Sequence, residues 1–121
     1  MDKTKKKLPY QGPLKGIKVL NIGTAIAGPW AGTLLGYLGA DVIKVERPEG
    51  EYLRLLFPRQ DGIATAYTAT NLNQRSVEIN TKSEEGMKTM QQLALKADIL
   101  IENFRPGVAD RIGLGYKALH E

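Results

Sequence analysis

Four cations stand at or just beyond the ends of β-rich runs. Arg47 follows Asp41–Glu46, Lys82 follows Ser76–Asn80, and Arg105 and Arg111 flank the turn after Asp98–Glu102. In a parallel sheet these ends converge on one rim. Several cations there suit a ligand with separated phosphates, because an arginine fork pairs with phosphate through two hydrogen bonds. Solvated rim charges are the alternative that spacing leaves open. Phe104, on the last of these turns, is positioned to stack on an adenine or line its slot. Gly23 and Gly28 frame an earlier turn, where the backbone can approach a ligand and the following helix start offers free amides to a phosphate. Glu46 occupies the place of the acid that holds a ribose in dinucleotide enzymes. That turn nevertheless reads Gly-Thr-Ala-Ile-Ala-Gly-Pro-Trp and not G-x-G-x-x-G, and the chain has no G-x-x-x-x-G-K-[ST]. Small residues serving helix–sheet packing are therefore the simpler account of it. Asp41, Asp61, Asp98 and Asp110 show no paired arrangement that would mark a nucleophile, and Asp41 and Asp98 most simply begin strands.

These residues need a frame, and the apolar patterning supplies one. Ile17–Ile22 is a β-rich run bounded by Gly16 and Gly23. Pro29 suits a first helical position, and a helix from Pro29 to Leu38 puts Trp30, Leu34, Leu38 and Ala31, Leu35 on adjoining apolar stripes. Its glycines cost roughly 1 kcal/mol each in propensity, which close approach to a neighbouring backbone would offset. Asp41–Glu46 is the second strand, giving a β-α-β unit with parallel strands and a right-handed crossover. Residues 47–62 read as a loop with a helical turn near Tyr52–Phe57, and Ile63–Leu72 as a short helix. Ser76–Asn80 alternates as a strand. Thr81 or Ser83 then caps a helix to Lys96, with Met87, Met90, Leu93, Ala94 and Ala97 on one face. Asp98–Glu102 is the next strand. Strands alternating with helices predict an α/β, Rossmann-like parallel sheet with flanking helices.

Composition narrows the chemistry. The 121 residues contain no cysteine and one histidine, His120. That excludes a disulfide scaffold, a Cys-ligated metal and a thiol nucleophile, and argues against a His-based metal site or triad. The net charge of +4 comes mostly from the first seven residues, which hold four lysines and one aspartate. The remainder carries 13 basic and 12 acidic side chains. The basicity is thus a tail, expected to be a disordered arm over residues 1–11, and no nucleic-acid partner is expected. Val19–Ala40 is 22 residues without a charge, long enough to span a bilayer, but Asn21, Gly23, Pro29 and Gly39 break it into strand, turn and buried helix. No signal peptide is evident, so a cytoplasmic protein without a membrane partner is expected.

Several segments together resemble the family III CoA-transferases, also called the CaiB/BaiF family. They are Gly12-Pro-Leu-Lys-Gly-Ile-Lys-Val-Leu20, Ala27-Gly-Pro29, and Leu38-Gly-Ala-Asp-Val-Ile-Lys-Val-Glu-Arg-Pro48. Asn71-Leu-Asn-Gln-Arg-Ser76 is similar to the family's N-x-N-K-R-S segment. Ala97-Asp-Ile-Leu-Ile-Glu-Asn-Phe-Arg-Pro-Gly-Val108 and Arg111-Ile-Gly-Leu-Gly-Tyr116 are similar to its most recognisable stretch. The likeness runs from Gly12 to the C-terminus. It implies that residues 12–121 are the N-terminal part of a CoA-binding, Rossmann-like domain. The implied enzyme is an interlocked homodimer that passes CoA from an acyl-CoA to a carboxylic acid through an aspartyl intermediate, without a metal. Carried over residue by residue, the implied CoA contacts are Thr24, Ile26, Ala27, Arg47, Ile79, Lys82, Asn103, Phe104 and Arg111. Glu46 is demoted from ribose ligand to structural residue. The family's catalytic aspartate follows the Arg-Ile-Gly-Leu-Gly-Tyr segment and is expected beyond Glu121, so no catalytic residue is expected in this chain and the chain alone is expected to be inactive.

The chain also departs from the family's pattern. Oxalate-type members carry a histidine and a glutamine near the first turn, where this chain has Thr24 and Ile26. Ile26–Gly32 is closer to carnitine-type members, Glu102–Gly107 to the general transferase pattern, and Gln74 stands where a lysine is usual. Two other readings are a non-catalytic CoA- or nucleotide-binding fragment or remnant, and the related α-methylacyl-CoA racemase branch. Members of that branch tend to carry Gly-Tyr in place of Asn103-Phe104.

Overall fold

The structure, a computed structural model, describes residues 12–120; the basic arm over residues 1–11 lies outside them. Strand β1 (Lys18–Asn21) leads through a tight turn into helix α1 (Ala27–Tyr37) and on to β2 (Asp41–Glu46). A 3-10 turn (Tyr52–Leu55) and a small hairpin, β3 (Arg59–Gln60) and β4 (Ile63–Ala64), precede α2 (Thr65–Thr70). Then come β5 (Arg75–Glu78), α3 (Glu84–Leu95), β6 (Ile99–Ile101), α4 (Val108–Arg111) and α5 (Tyr116–His120). β5, β2, β1 and β6 form a four-stranded sheet in that order, parallel throughout. Val19 lies beside both Val42 and Ile99, which sets the register of β2, β1 and β6. The expected α/β architecture, a parallel sheet flanked by helices, is thus observed.

The chain adds β2 and β5 on one side of β1, then returns to place β6 on the other. That reversal leaves a crevice beyond the carboxyl ends of β1 and β6, where open parallel sheets bind ligands. The two sheet faces differ in chemistry. One carries Leu20, Ile22, Val45 and Ile79, packed against Met90 and Ala94 of α3 and Leu114, with Ile43, Val77 and Leu100 at the margin. The predicted face of α3 is the one used, and Ser83 caps the helix by accepting from the Gly86 amide at 3.0 Å. Full burial of side chains of this size contributes about 1.5–3 kcal/mol each.

The other face lies under α1, and here the expected stripes are corrected. α1 begins at Ala27, two residues before Pro29, and buries Gly28, Pro29, Gly32, Thr33 and Gly36. Trp30, Leu34 and Leu38 are 44–46% exposed. The reason is steric. A Cβ on Gly28 would meet the Gly23 Cα at 2.7 Å, and one on Gly36 would meet the Asn73 carbonyl oxygen at 2.6 Å. Only the glycine face lets the helix settle this close. The Ile63–Leu72 helix is likewise shorter than expected, because Ile63 and Ala64 pair with Gln60 and Arg59.

Candidate functional site

A cavity of about 360 Å³ opens at the carboxyl ends of the strands. Ile22 and Thr24 enter it from beyond β1, Arg47 from beyond β2 and Phe104 from beyond β6. Thr81, after β5, and Glu51 and Tyr52, in the loop after β2, complete the wall. Three residues expected to contact CoA, namely Thr24, Arg47 and Phe104, therefore share one site, although Thr24 and Phe104 lie 80 residues apart. Arg47 is exposed and has no ion-pair partner among the described residues. Phe104 also walls a second cavity, of about 600 Å³, shared with Arg105, Pro106 and the α4–α5 segment.

The other expected contacts lie around this cavity without lining it. Ile26 is 62% exposed, immediately before α1, and Ala27 is its exposed first residue. Lys82 is exposed and sits 3.7 Å from the Glu49 carboxylate, which is also exposed. Arg111 ends α4, exposed. Ile79 is buried in the core, where its amide donates to the Glu46 carbonyl. Asn103 reaches back across the β1/β6 crevice. Its side-chain oxygen accepts from the Thr24 amide at 2.8 Å, and its side-chain nitrogen donates to the Thr24 carbonyl at 2.9 Å.

The turn before α1 is held from below as well. Asn21 accepts from the Gly23 amide at 3.0 Å. The ammonium of Lys44, from the middle of β2, donates to the Gly23 carbonyl. Ala25 takes a left-handed φ of 59°, a conformation that costs an L-residue roughly 1–2 kcal/mol. Its amide then points at Glu51, whose Oε1 accepts at 2.7 Å. Ahead of the helix start, the N–H groups of Gly23, Thr24 and Ala25 are each occupied by a side chain of the protein itself. Lys44 and Glu51 were not singled out in the sequence, although a lysine inside an apolar inner strand is a signal, since a buried ammonium requires a partner. Burial pulls the Lys44 ammonium below its ordinary value of 10.5, while Glu51 and then Glu46 pull it back.

Glu46 is structural, as expected. Arg54 donates to both of its oxygens, at 2.6 and 2.8 Å, and Tyr67 and Ser76 donate at 2.7 and 2.8 Å. Burial alone would raise this carboxyl, but the hydrogen bonds from Arg54, Tyr67 and Ser76 outweigh it and hold it at about 2. Arg54 also lies 3.7 Å from the centre of the Tyr67 ring. The acid at the end of β2 thus ties the 47–70 excursion to the sheet, with both of its oxygens engaged by the protein itself. Gln74 has a comparable role under α1. It donates to the Pro29 carbonyl and the Thr33 hydroxyl, and accepts from Asn21 at 2.9 Å.

The profile of CoA-transferase family III matches residues 14–121. Formyl-CoA:oxalate CoA-transferases of Escherichia coli O6:H1 and Shigella boydii serotype 18 are 44% identical to the chain over 111 residues. Those matches take in 90% of this chain and 27% of each relative, so the chain spans about a quarter of their length. Among solved structures, a CaiB/BaiF family protein from Brucella suis superposes with a TM-score of 0.84 at 41% identity, covering 91% of this chain and 30% of that one. Rv3272 from M. tuberculosis superposes with a TM-score of 0.82 at 40% identity, covering 89% of this chain and 31% of that one.

Proposed function

The chain belongs to CoA-transferase family III, and on that premise we propose that residues 12–120 form the CoA-binding opening part of an enzyme that moves CoA from an acyl-CoA to a carboxylic acid. The observation that carries the reading is the single cavity in which Thr24, Arg47 and Phe104 meet. Arg47 is the phosphate-pairing cation at its mouth, Lys82 and Arg111 extend the positive rim, and Phe104 with Tyr52 lines the slot for the adenine. The guanidinium forks fix phosphate oxygens by paired, charge-assisted hydrogen bonds. On this reading the acyl-accepting aspartate and a homodimer partner are supplied from outside the described residues. Asp41, Asp61, Asp98 and Asp110 are all outside the cavity wall. Thr24 and Ile26 replace the histidine and glutamine of oxalate-type members, so the reading stays at an acyl-CoA and a carboxylic acid, with no particular acid named.

Calorimetric titration of CoA into the 121-residue chain tests this. Arg47→Ala and Arg111→Ala should each weaken binding by about 1.5–3 kcal/mol, the scale of a charged hydrogen bond. Rising salt should weaken the unaltered protein and narrow the difference. If both replacements leave a measurable CoA affinity untouched, the assigned rim is wrong.

A further inference from the structure

Glu51 is 4% exposed, and its carboxylate is used asymmetrically. Oε1 accepts from the Ala25 amide at 2.7 Å. Oε2 is buried without a hydrogen-bond partner, and the Lys44 ammonium stands 3.8 Å from it. Lys44, 1% exposed, in turn donates to the Gly23 carbonyl. The two side chains therefore grip Gly23 and Ala25, on either side of Thr24, while Asn103 grips Thr24 itself. A neutral acceptor would suffice for the Ala25 amide. The carboxylate is needed because an ammonium in the same buried place would otherwise lack a counter-charge.

In nucleotide-binding folds of this topology, the turn between the first strand and helix seats an anionic phosphate on backbone N–H groups. Here a negative charge already sits against that turn. We propose that Glu51 is a built-in anion: with Lys44 it shapes the Gly23–Ala25 turn and takes the Ala25 amide that a ligand phosphate would otherwise take. Glu51 and Lys44 are thus positioning residues. The turn offers a ligand a preformed and anion-excluding surface, and phosphates are directed to the Arg47, Lys82 and Arg111 rim. The proposal rests on the CoA reading only for the identity of the ligand so directed.

The test is chemical rescue, read by thermal melting of the 121-residue chain with no CoA present. Glu51→Ala removes the carboxylate and leaves a hole of its size beside Lys44 and the Ala25 amide. Its melting temperature should fall by several degrees and be recovered by sodium formate, while sodium chloride at equal ionic strength recovers much less. Glu51→Gln keeps the acceptor and leaves no hole, so it should melt low and gain nothing from formate. Equal recovery by formate and chloride would overturn the proposal, as would a folded Glu51→Ala protein indifferent to formate. If Glu51→Ala folds only in formate, the seat is supported; if it fails to fold at any formate concentration while Glu51→Gln folds, the seat is rejected. Should the unaltered chain take up no CoA in the calorimetric titration, the CoA reading falls, and the melting results still decide the role of Glu51.

Discussion

Asn103 shows what a single side chain contributes to this site. It was expected as a contact to CoA, and its amide is already committed to both polar groups of the Thr24 backbone, 79 residues away. Its direct effect is to join the turn after β1 to the turn after β6. Asn103→Ala removes both bonds from an exposed pair of backbone groups that water can then reach. The expected loss is about 1 kcal/mol of stability, measured by urea denaturation, because water takes over part of the interaction. Asn103→Asp keeps the acceptor and should lose less. Glu46 gives a sharper effect because it is buried. Its carboxyl is depressed from 4.5 to about 2 in the folded state, so its contribution is complete above pH 4.5 and is lost as pH falls toward 2. At about 1.4 kcal/mol for each tenfold in proton affinity, this amounts to about 3 kcal/mol. Urea midpoints of the unaltered chain and Glu46→Gln, compared between pH 6 and pH 2.5, should converge in acid. A constant gap across that range would show that the carboxylate is not the source.

At the scale of the element, α1 shows why composition was informative and the apolar stripe was not. The expectation that its glycines permit close approach holds: Gly28, Gly32 and Gly36 lie on the buried face, against Gly23, Asn21, Gln74 and Asn73. The expected apolar stripes of Trp30, Leu34 and Leu38 are largely outward. Period identifies a helix and its two faces. Which face is buried depends on the shape of the neighbour, and here the neighbour is a polar layer of Asn21, Gln74 and backbone. Gly36→Ala separates propensity from packing. Alanine gains up to about 1 kcal/mol as a helix former, but its Cβ would stand 2.6 Å from a backbone carbonyl oxygen that cannot rotate away. The overpacking cost of typically 1–3 kcal/mol should prevail. A net loss of stability in denaturant titration is expected, and a gain would mean that α1 moves freely away from Asn73. The same layer accounts for Gln74 at a position where a lysine is usual, since it makes two donations and one acceptance within reach of α1.

For the whole molecule, the decisive feature is the return of the chain from β5 to β6, which opens the crevice beside β1. The cavity formed there is lined by one cation, Arg47, and two aromatic rings, Tyr52 and Phe104, but by no aspartate. Supplied with an acyl-CoA and a free carboxylic acid, the 121-residue chain should exchange no CoA between them, as followed by chromatography of the thioesters. Exchange would point to Glu46 or Glu51, the carboxylates in the cavity wall, and would remove the need for an aspartate from elsewhere. The sequence by itself determined the order of the four sheet-forming runs and of the helices α1 and α3 between them, their parallel pairing and the family, and it narrowed the cap of α3 to Thr81 or Ser83. These rest on short-range patterning, so local residue types carry them. Only the tertiary structure decided which polar groups meet: Lys44 with Glu51 and Gly23, Glu46 with Arg54, Tyr67 and Ser76, and Asn103 with Thr24. Those partners are brought together by sheet order across as many as 79 residues. The cost of leaving a buried charge or amide unpaired, and not any local pattern, selects them.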